Sequence, residues 1–298
     1  KSDLLWSSTV TNPSHDFKNY GSYGVTLIVS DSFTSDTIKK FNLINVNLPP
    51  ITDTIFADEK IFYDFPDNIT HITFGNFFLD RVWIFYKNSN HVWQSLYFVK
   101  FPKNLKHLEF GYDFNQPVDN LPPNLKYLYF GEKFNQPVNN LPNSLEILKF
   151  DLDFNQPVEF LPCGIKELFF GYYFNQPVGF LPNSLIKMSC MGNQIESLDC
   201  LPIGLKILDC NRNKIKLLDC LPKNLEFLEC ESNQIEKLDN LPHGLKNLTC
   251  SHNQITQLDR LPPNLEKLDC TNNKITKLDN LPQSLKELIC EENNIKTL

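Results

Sequence analysis

Glycine and methionine are scarce in this chain, with 11 and 2 copies among 298 residues. No stretch of about 18 consecutive apolar residues occurs, which excludes a hydrophobic membrane-spanning helix of ordinary length. Residues 1–10 have no apolar core of signal-peptide type, although the chain opens on Lys1 and leaves an upstream segment open. Positive charge is not in excess: 28 Lys and Arg face 35 Asp and Glu, a formal net charge of −7. That balance argues against a nucleic-acid partner, which calls for a basic stripe. There is no glycine-rich phosphate loop and no histidine-rich metal motif. The six histidines (His15, His71, His91, His107, His243, His252) lie scattered.

Against these absences stand 24 Phe, 20 Pro and 9 Cys. Abundant proline does not suit a helical protein, and proline at fixed intervals marks repeated turns. The interval is 20 residues. Phe101-Pro102 opens a series continued by Leu121-Pro122, Leu141-Pro142 and so on to Leu281-Pro282, ten units without one insertion or deletion. With this pair as positions 1 and 2, position 5 is always Leu or Ile, and position 8 is Leu except at Met188. Position 10 is Phe in the first four units and Cys in the last six. Apolar positions 8 and 10 alternate with polar or variable 7 and 9, the pattern of a short strand with one buried face. Such a unit cannot bury its apolar stripe alone, so stacked neighbours must supply one continuous core.

Residues 181–298 repeat Leu-x-x-Leu-x-Cys-x-x-Asn-x-Ile-x-x-Leu, as in Leu205 to Leu218. This pattern resembles the leucine-rich-repeat family, and its 20-residue length with Leu-Pro is similar to the bacterial-effector subtype. The Asn at position 13 (Asn193 to Asn293) is expected to form a ladder that satisfies backbone groups of adjacent turns. Residues 101–180 read Phe-Gly-x-x-Phe-Asn-Gln-Pro-Val instead, as in Phe110 to Val118. This resembles the FNIP repeat of amoebae and of the giant viruses that infect them. The resemblance implies a leucine-rich-repeat-like solenoid and, in relatives carrying an F-box, a substrate-receptor role in ubiquitination. No F-box-like segment is visible within these 298 residues.

The expected fold is therefore mainly β: a leucine-rich-repeat solenoid of 20-residue turns, with a parallel sheet on its concave face and few or no α-helices. Residues 1–64 read as an irregular N-terminal cap, 65–100 as a diverged repeat with an insertion, 101–180 as four FNIP-type repeats and 181–298 as six repeats of the Cys/Asn type. Large-for-small exchange at position 10 predicts a change of thickness or curvature near residues 180–200. The array ends at Leu298 without a polar cap, so a homodimer through that end is one expectation.

The cysteines at position 10 are spaced along parallel strands and do not converge on one point as a tetrahedral metal site requires. They read as small core hydrophobes, which implies a reducing, cytoplasmic setting, the host cytoplasm if the protein is viral. No metal or cofactor is expected, and no nucleophile with a neighbouring base is apparent, so the chain reads as non-catalytic. At position 6 the signs alternate from Lys206 onward, a register device. Positions 7 and 9 project from the concave sheet, and in the FNIP turns they gather Tyr127, Tyr129, Lys149, Glu167 and Phe169, with Tyr112 and Tyr172 at the rim. Aromatics that folding does not require resemble an interface hot spot. The expected partner is a protein, with Tyr127, Tyr129 and Phe169 as anchors and Lys149 selecting charge. A ubiquitin-ligase receptor module and a structural, self-associating repeat protein stand as alternatives.

Overall fold

The computed structural model describes residues 70, 101, 103–198 and 200–296, together with four upstream strands. Apart from one of those strands, the expected N-terminal cap lies outside the described residues. The upstream strands are β1 (Thr54–Ala57), β2 (His71–Phe74), β3 (Ile84–Lys87) and β4 (Trp93–Leu96). The regular array adds one three-residue strand per turn, always at positions 7 to 9: β5 (His107–Glu109), β6 (Tyr127–Tyr129), β7 (Ile147–Lys149), β8 (Glu167–Phe169) and β9 (Lys187–Ser189). It continues with β10 (Ile207–Asp209), β11 (Phe227–Glu229), β12 (Asn247–Thr249), β13 (Lys267–Asp269) and β14 (Glu287–Ile289). Twelve of these strands form one parallel sheet in the order β1-β2-β5 and onward to β14. No α-helix occurs among the described residues.

Register is fixed by the period. β2 pairs with β5 as His71↔His107, so position 7 of the diverged copy meets position 7 of the first regular turn. The intervening residues contribute β3 and β4, an antiparallel pair outside the main sheet. From the second turn onward each starts the same way: the carbonyl of the position-2 proline accepts the N–H of position 5, as in Leu145 to Pro142 at 3.1 Å. Position 4 is always Asn, Ser or Gly, and where it is Asn or Ser its side chain bonds to the preceding turn, for example Ser144 Oγ to the Leu125 carbonyl at 2.7 Å. The strand then places position 8 in the core and leaves 7 and 9 half-buried on the opposite face.

The core runs unbroken from Leu105 to Ile275. In the FNIP turns two phenylalanine columns fill it. Phe130 stacks on Phe134 at 3.8 Å between ring centres and on Phe150 of the next turn at 5.6 Å. Gly131 sits under this column because a Cβ there would collide with the Gly111 carbonyl. In the later turns Cys190, Cys210, Cys230, Cys250 and Cys270 take position 10, all buried. Burial raises their thiol pKa values well above the ordinary range, to about 12 for Cys230, so they stay protonated.

Two hydrogen-bond ladders follow the strand, and they run in opposite directions. In the FNIP turns the Oδ1 of Asn115 accepts from the backbone N–H of Asn135, one turn later, at 2.9 Å and from Gln136 Nε2 at 3.0 Å. Asn135 and Asn155 repeat this on the next turns. In the later turns Asn233 Oδ1 accepts from the N–H of Ile215, one turn earlier, at 3.0 Å. Its Nδ2 donates to the carbonyls of Cys210 and Cys230 at 3.0 and 3.1 Å. One backbone bond of the loop reverses with the asparagine Oδ1. Lys133 N–H donates back to Tyr112, whereas Arg212 N–H donates forward to Glu231. The forward bond needs position 12 in the left-handed region, and Arg212, Ser232, His252, Asn272 and Glu292 all adopt φ between 52° and 55°.

Where the types meet, between β8 and β9, the ladders cannot connect. The N–H of Asn175 is already held by Asn155 Oδ1, so Asn193 Oδ1 is buried without a hydrogen-bond partner. Gly192 adopts φ +78°, and the space its side chain would fill is taken by the Tyr172 ring. The sheet itself continues across this seam, with Phe169 opposite Ser189.

Candidate protein interface on the concave face

The alternation of the strands leaves two rows of outward side chains, positions 7 and 9, and in the FNIP turns these rows form one connected surface. His107 stacks on Tyr127 with ring centres 4.0 Å apart and nearly parallel planes. Lys149 Nζ lies 5.3 Å from the Tyr127 ring and 5.0 Å from the Phe169 ring, bridging β6 and β8. Lys187 Nζ covers Phe169 from the next strand at 5.3 Å. These distances are within reach of a cation–π contact.

The polar ends are held as well. His107 Nε2 donates to Glu109 Oε1 at 2.9 Å. Tyr129 donates its hydroxyl to Asp151 Oδ2 at 2.5 Å, using the one FNIP turn in which Asp replaces the glycine after position 10. Burial, then the neighbouring Glu109 carboxylate, pushes the Tyr127 phenol up to about 12, and burial with the Asp151 hydrogen bond raises that of Tyr129. Both tyrosines therefore remain neutral donors at physiological pH.

The structure brings Tyr127, Lys149 and Phe169 into one run of contacts, with Glu167 opposite Lys187 across the sheet. Tyr129 faces the same side but leans to Asp151. The rim residues flank the patch and do not join it. Tyr112, in the turn of β5, lies 5.8 Å from Lys133 Nζ, and Tyr172 rests on Gly192 at the seam. Lys187 belongs with the patch and is the residue that reading by repeat type misses, because it sits in the first turn of the second type. The position-7 row itself is the signal that finds it.

Other surfaces are occupied by their own chemistry. The lateral position-6 row pairs Lys126 and Lys166 with Glu146, both at 2.7 Å, and Lys206 and Lys246 with Glu226. A shallow groove lined by Lys206, Lys223, Glu226, Lys246 and Glu266 lies along this row, and Glu226 pairs with both Lys206 and Lys246. Among the described residues no group of three or more His, Cys, Asp or Glu could hold a metal ion. No helix among them is long and apolar enough to cross a membrane.

The FNIP Repeat family model matches residues 94–133, 117–153, 134–172 and 154–189, and the model for two copies of Leucine Rich repeats matches 243–283. No curated protein matches the chain. Among solved structures it is similar to CroV588 of a giant virus, described as a novel circular LRR protein, with 31% identity and a TM-score of 0.65 over 82% of this chain and 37% of CroV588. It is also similar to the internalin InlF of Listeria monocytogenes, with 23% identity and TM-score 0.56 over 65% of this chain and 64% of InlF. YopM of Yersinia enterocolitica matches with 23% identity and TM-score 0.54, over 84% of this chain and 58% of YopM. The chain thus spans about two-fifths to two-thirds of the length of these proteins. Sequence match and fold together identify the chain as a leucine-rich-repeat solenoid that carries FNIP repeats.

Proposed function

We propose that this protein is a non-catalytic interaction module that binds a protein partner on the concave face of its FNIP turns. Leucine-rich-repeat solenoids are typical protein–protein interaction modules, and their stacked strands offer an extended surface that several neighbouring turns share. The observation that carries the reading is the run His107–Tyr127–Lys149–Phe169–Lys187, a surface of rings and ammonium groups on five consecutive strands that leaves the core untouched. Folding requires position 8; it makes no such demand of 7 and 9. Aromatic side chains in a half-buried, prearranged row lose little further entropy on docking, which is how interface anchors contribute affinity.

The test is affinity capture from amoebal cytosol, the setting that FNIP-repeat relatives suggest, read by mass spectrometry. The unmutated chain is compared with its Tyr127→Ala/Tyr129→Ala/Phe169→Ala variant after both are shown to melt cooperatively. A protein retained by the unmutated chain and lost from the variant is the expected result. Equal recovery from both removes the site. Ubiquitin-ligase subunits among the lost proteins would assign the receptor role.

A further inference from the structure

Phe169 is held between two ammonium groups, Lys149 Nζ at 5.0 Å and Lys187 Nζ at 5.3 Å from its ring centre. Among the described residues neither lysine has a carboxylate within ion-pair distance. This sets them apart from the lateral lysines Lys126, Lys166, Lys206, Lys246 and Lys286, each tied to a glutamate. Glu167 stands directly opposite Lys187 in the sheet register, yet the Lys187 ammonium lies over the ring instead. Two like charges are thus gathered around one apolar ring on a half-buried surface, with no counter-charge of their own.

We propose that this lysine–phenylalanine–lysine cluster seats neighbouring carboxylates of a short acidic segment of the protein partner, one at each lysine; the proposal rests on the concave-face reading above. Each ammonium group can leave the ring face to donate to one carboxylate of such a segment, and charge-assisted bonds of this kind are short and strong. The flanking ring displaces water, so the attraction is screened less than on the open lateral row. Charge also limits how far the acidic stretch extends. Asp209 on β10, Glu229 on β11 and Asp269 on β13 follow along position 9 of the same face. With strands about 4.8 Å apart, a polyanion laid along the solenoid meets Asp209 roughly 10 Å beyond Phe169. A few acidic residues fit; a nucleic-acid strand does not.

The test uses fluorescence anisotropy of labelled hexaglutamate, hexalysine and decauridylate at low salt, with the full chain. The unmutated protein is expected to bind hexaglutamate, with affinity about ten-fold lower in Lys149→Gln/Lys187→Gln. The control Lys214→Gln/Lys216→Gln, of equal charge change elsewhere on the solenoid, is expected to bind as the unmutated protein does. Both pairs are surface changes, and matching melting curves verify the fold. Absent binding of hexaglutamate, equal loss in both variants, or tighter binding of decauridylate overturns the proposal. Cytosolic capture separates the two claims. A partner lost on removing the aromatics but kept by Lys149→Gln/Lys187→Gln sinks the acidic-segment assignment alone, whereas a partner kept by both variants sinks the concave-face reading with it.

Discussion

In the FNIP turns the loop after each strand donates to the turn before, and in the later turns its position-12 N–H donates to the turn after. In the first type the loop N–H donates to the turn before and the asparagine Oδ1 accepts from the turn after; in the second the position-12 N–H donates to the turn after and the asparagine Oδ1 accepts from the turn before, while the asparagine Nδ2 and the position-14 N–H still donate backward. The strand, the Leu-Pro start and the 20-residue length are shared, so the two types stack into one sheet. A ladder nevertheless has a polarity, and two ladders of opposite polarity cannot be spliced without leaving a rung end empty. Asn193 Oδ1 is that end. A repeat protein can therefore change its core chemistry from phenylalanine to cysteine in mid-array at the expense of one unsatisfied loop, while the sheet stays intact.

The largest expected effect that separates the regions is in the core. Phe154→Ala should destabilise by about 3–5 kcal/mol, since it removes a fully buried ring from the position-14 column, where it also stacks on Phe150 of the other column. Cys230→Ala should cost on the order of 1 kcal/mol, and denaturant titration of both variants measures the difference. Similar losses would mean that the two cores are equally filled and that the phenylalanine columns are not the stronger part.

The rungs give the next effect. Asn233→Ala strips a partner from the buried N–H of Ile215 and from the Cys210 and Cys230 carbonyls, and should cost about 3 kcal/mol. Asn193→Ala gives up only bonds to the Cys190 and Met191 carbonyls and relieves an unsatisfied oxygen, so it should cost about 1 kcal/mol or less. Equal costs by thermal melting would refute the reversed-polarity account of the seam.

Thiol chemistry sharpens the contrast on a finer scale. Iodoacetamide should label the exposed Cys163, Cys200 and Cys220 of the folded chain within minutes, Cys290 more slowly, and the five buried position-10 cysteines only on unfolding. The smallest effect is electrostatic. The Lys126 and Lys166 ammonium groups hold the Glu146 carboxyl down to about 2. A depressed carboxyl stabilises the folded state above its ordinary range and loses that contribution as pH falls toward 2. Glu146→Gln should therefore lower the melting temperature slightly at neutral pH, less in 1 M salt (roughly 3 Å screening length), and not at all near pH 2.

Much of this fold is legible in the sequence because the period does the work. Leu-Pro every 20 residues, with positions 5, 8 and 10 apolar, specifies the turn, the strand and its buried face, and the Asn at position 13 announces its ladder. The direction of the ladders is not legible. The left-handed position 12 is filled by Gly192, His252 and Asn272, which favour that conformation, but also by Arg212, Ser232 and Glu292, which do not, so the column carries no uniform signal and the stacked neighbours enforce it. The seam is invisible for the same reason: Asn193 matches its column, and its defect lies in what Asn175 has already bound. On the concave face, Tyr127, Tyr129 and Phe169 stand out as aromatics at outward positions. Lys187 does not, because its role comes from lying over a ring that belongs to the previous turn.

Whether the FNIP turns rather than the later turns present the binding face is decided by a matched pair of variants in the cytosolic capture experiment. One carries Tyr127→Ala/Tyr129→Ala/Phe169→Ala and the other Ile207→Ala/Phe227→Ala, the outward apolar residues of β10 and β11. The partner is expected to be lost from the first variant and retained by the second. Retention by the first with loss from the second would place the interface on the Cys/Asn turns and contradict the proposal.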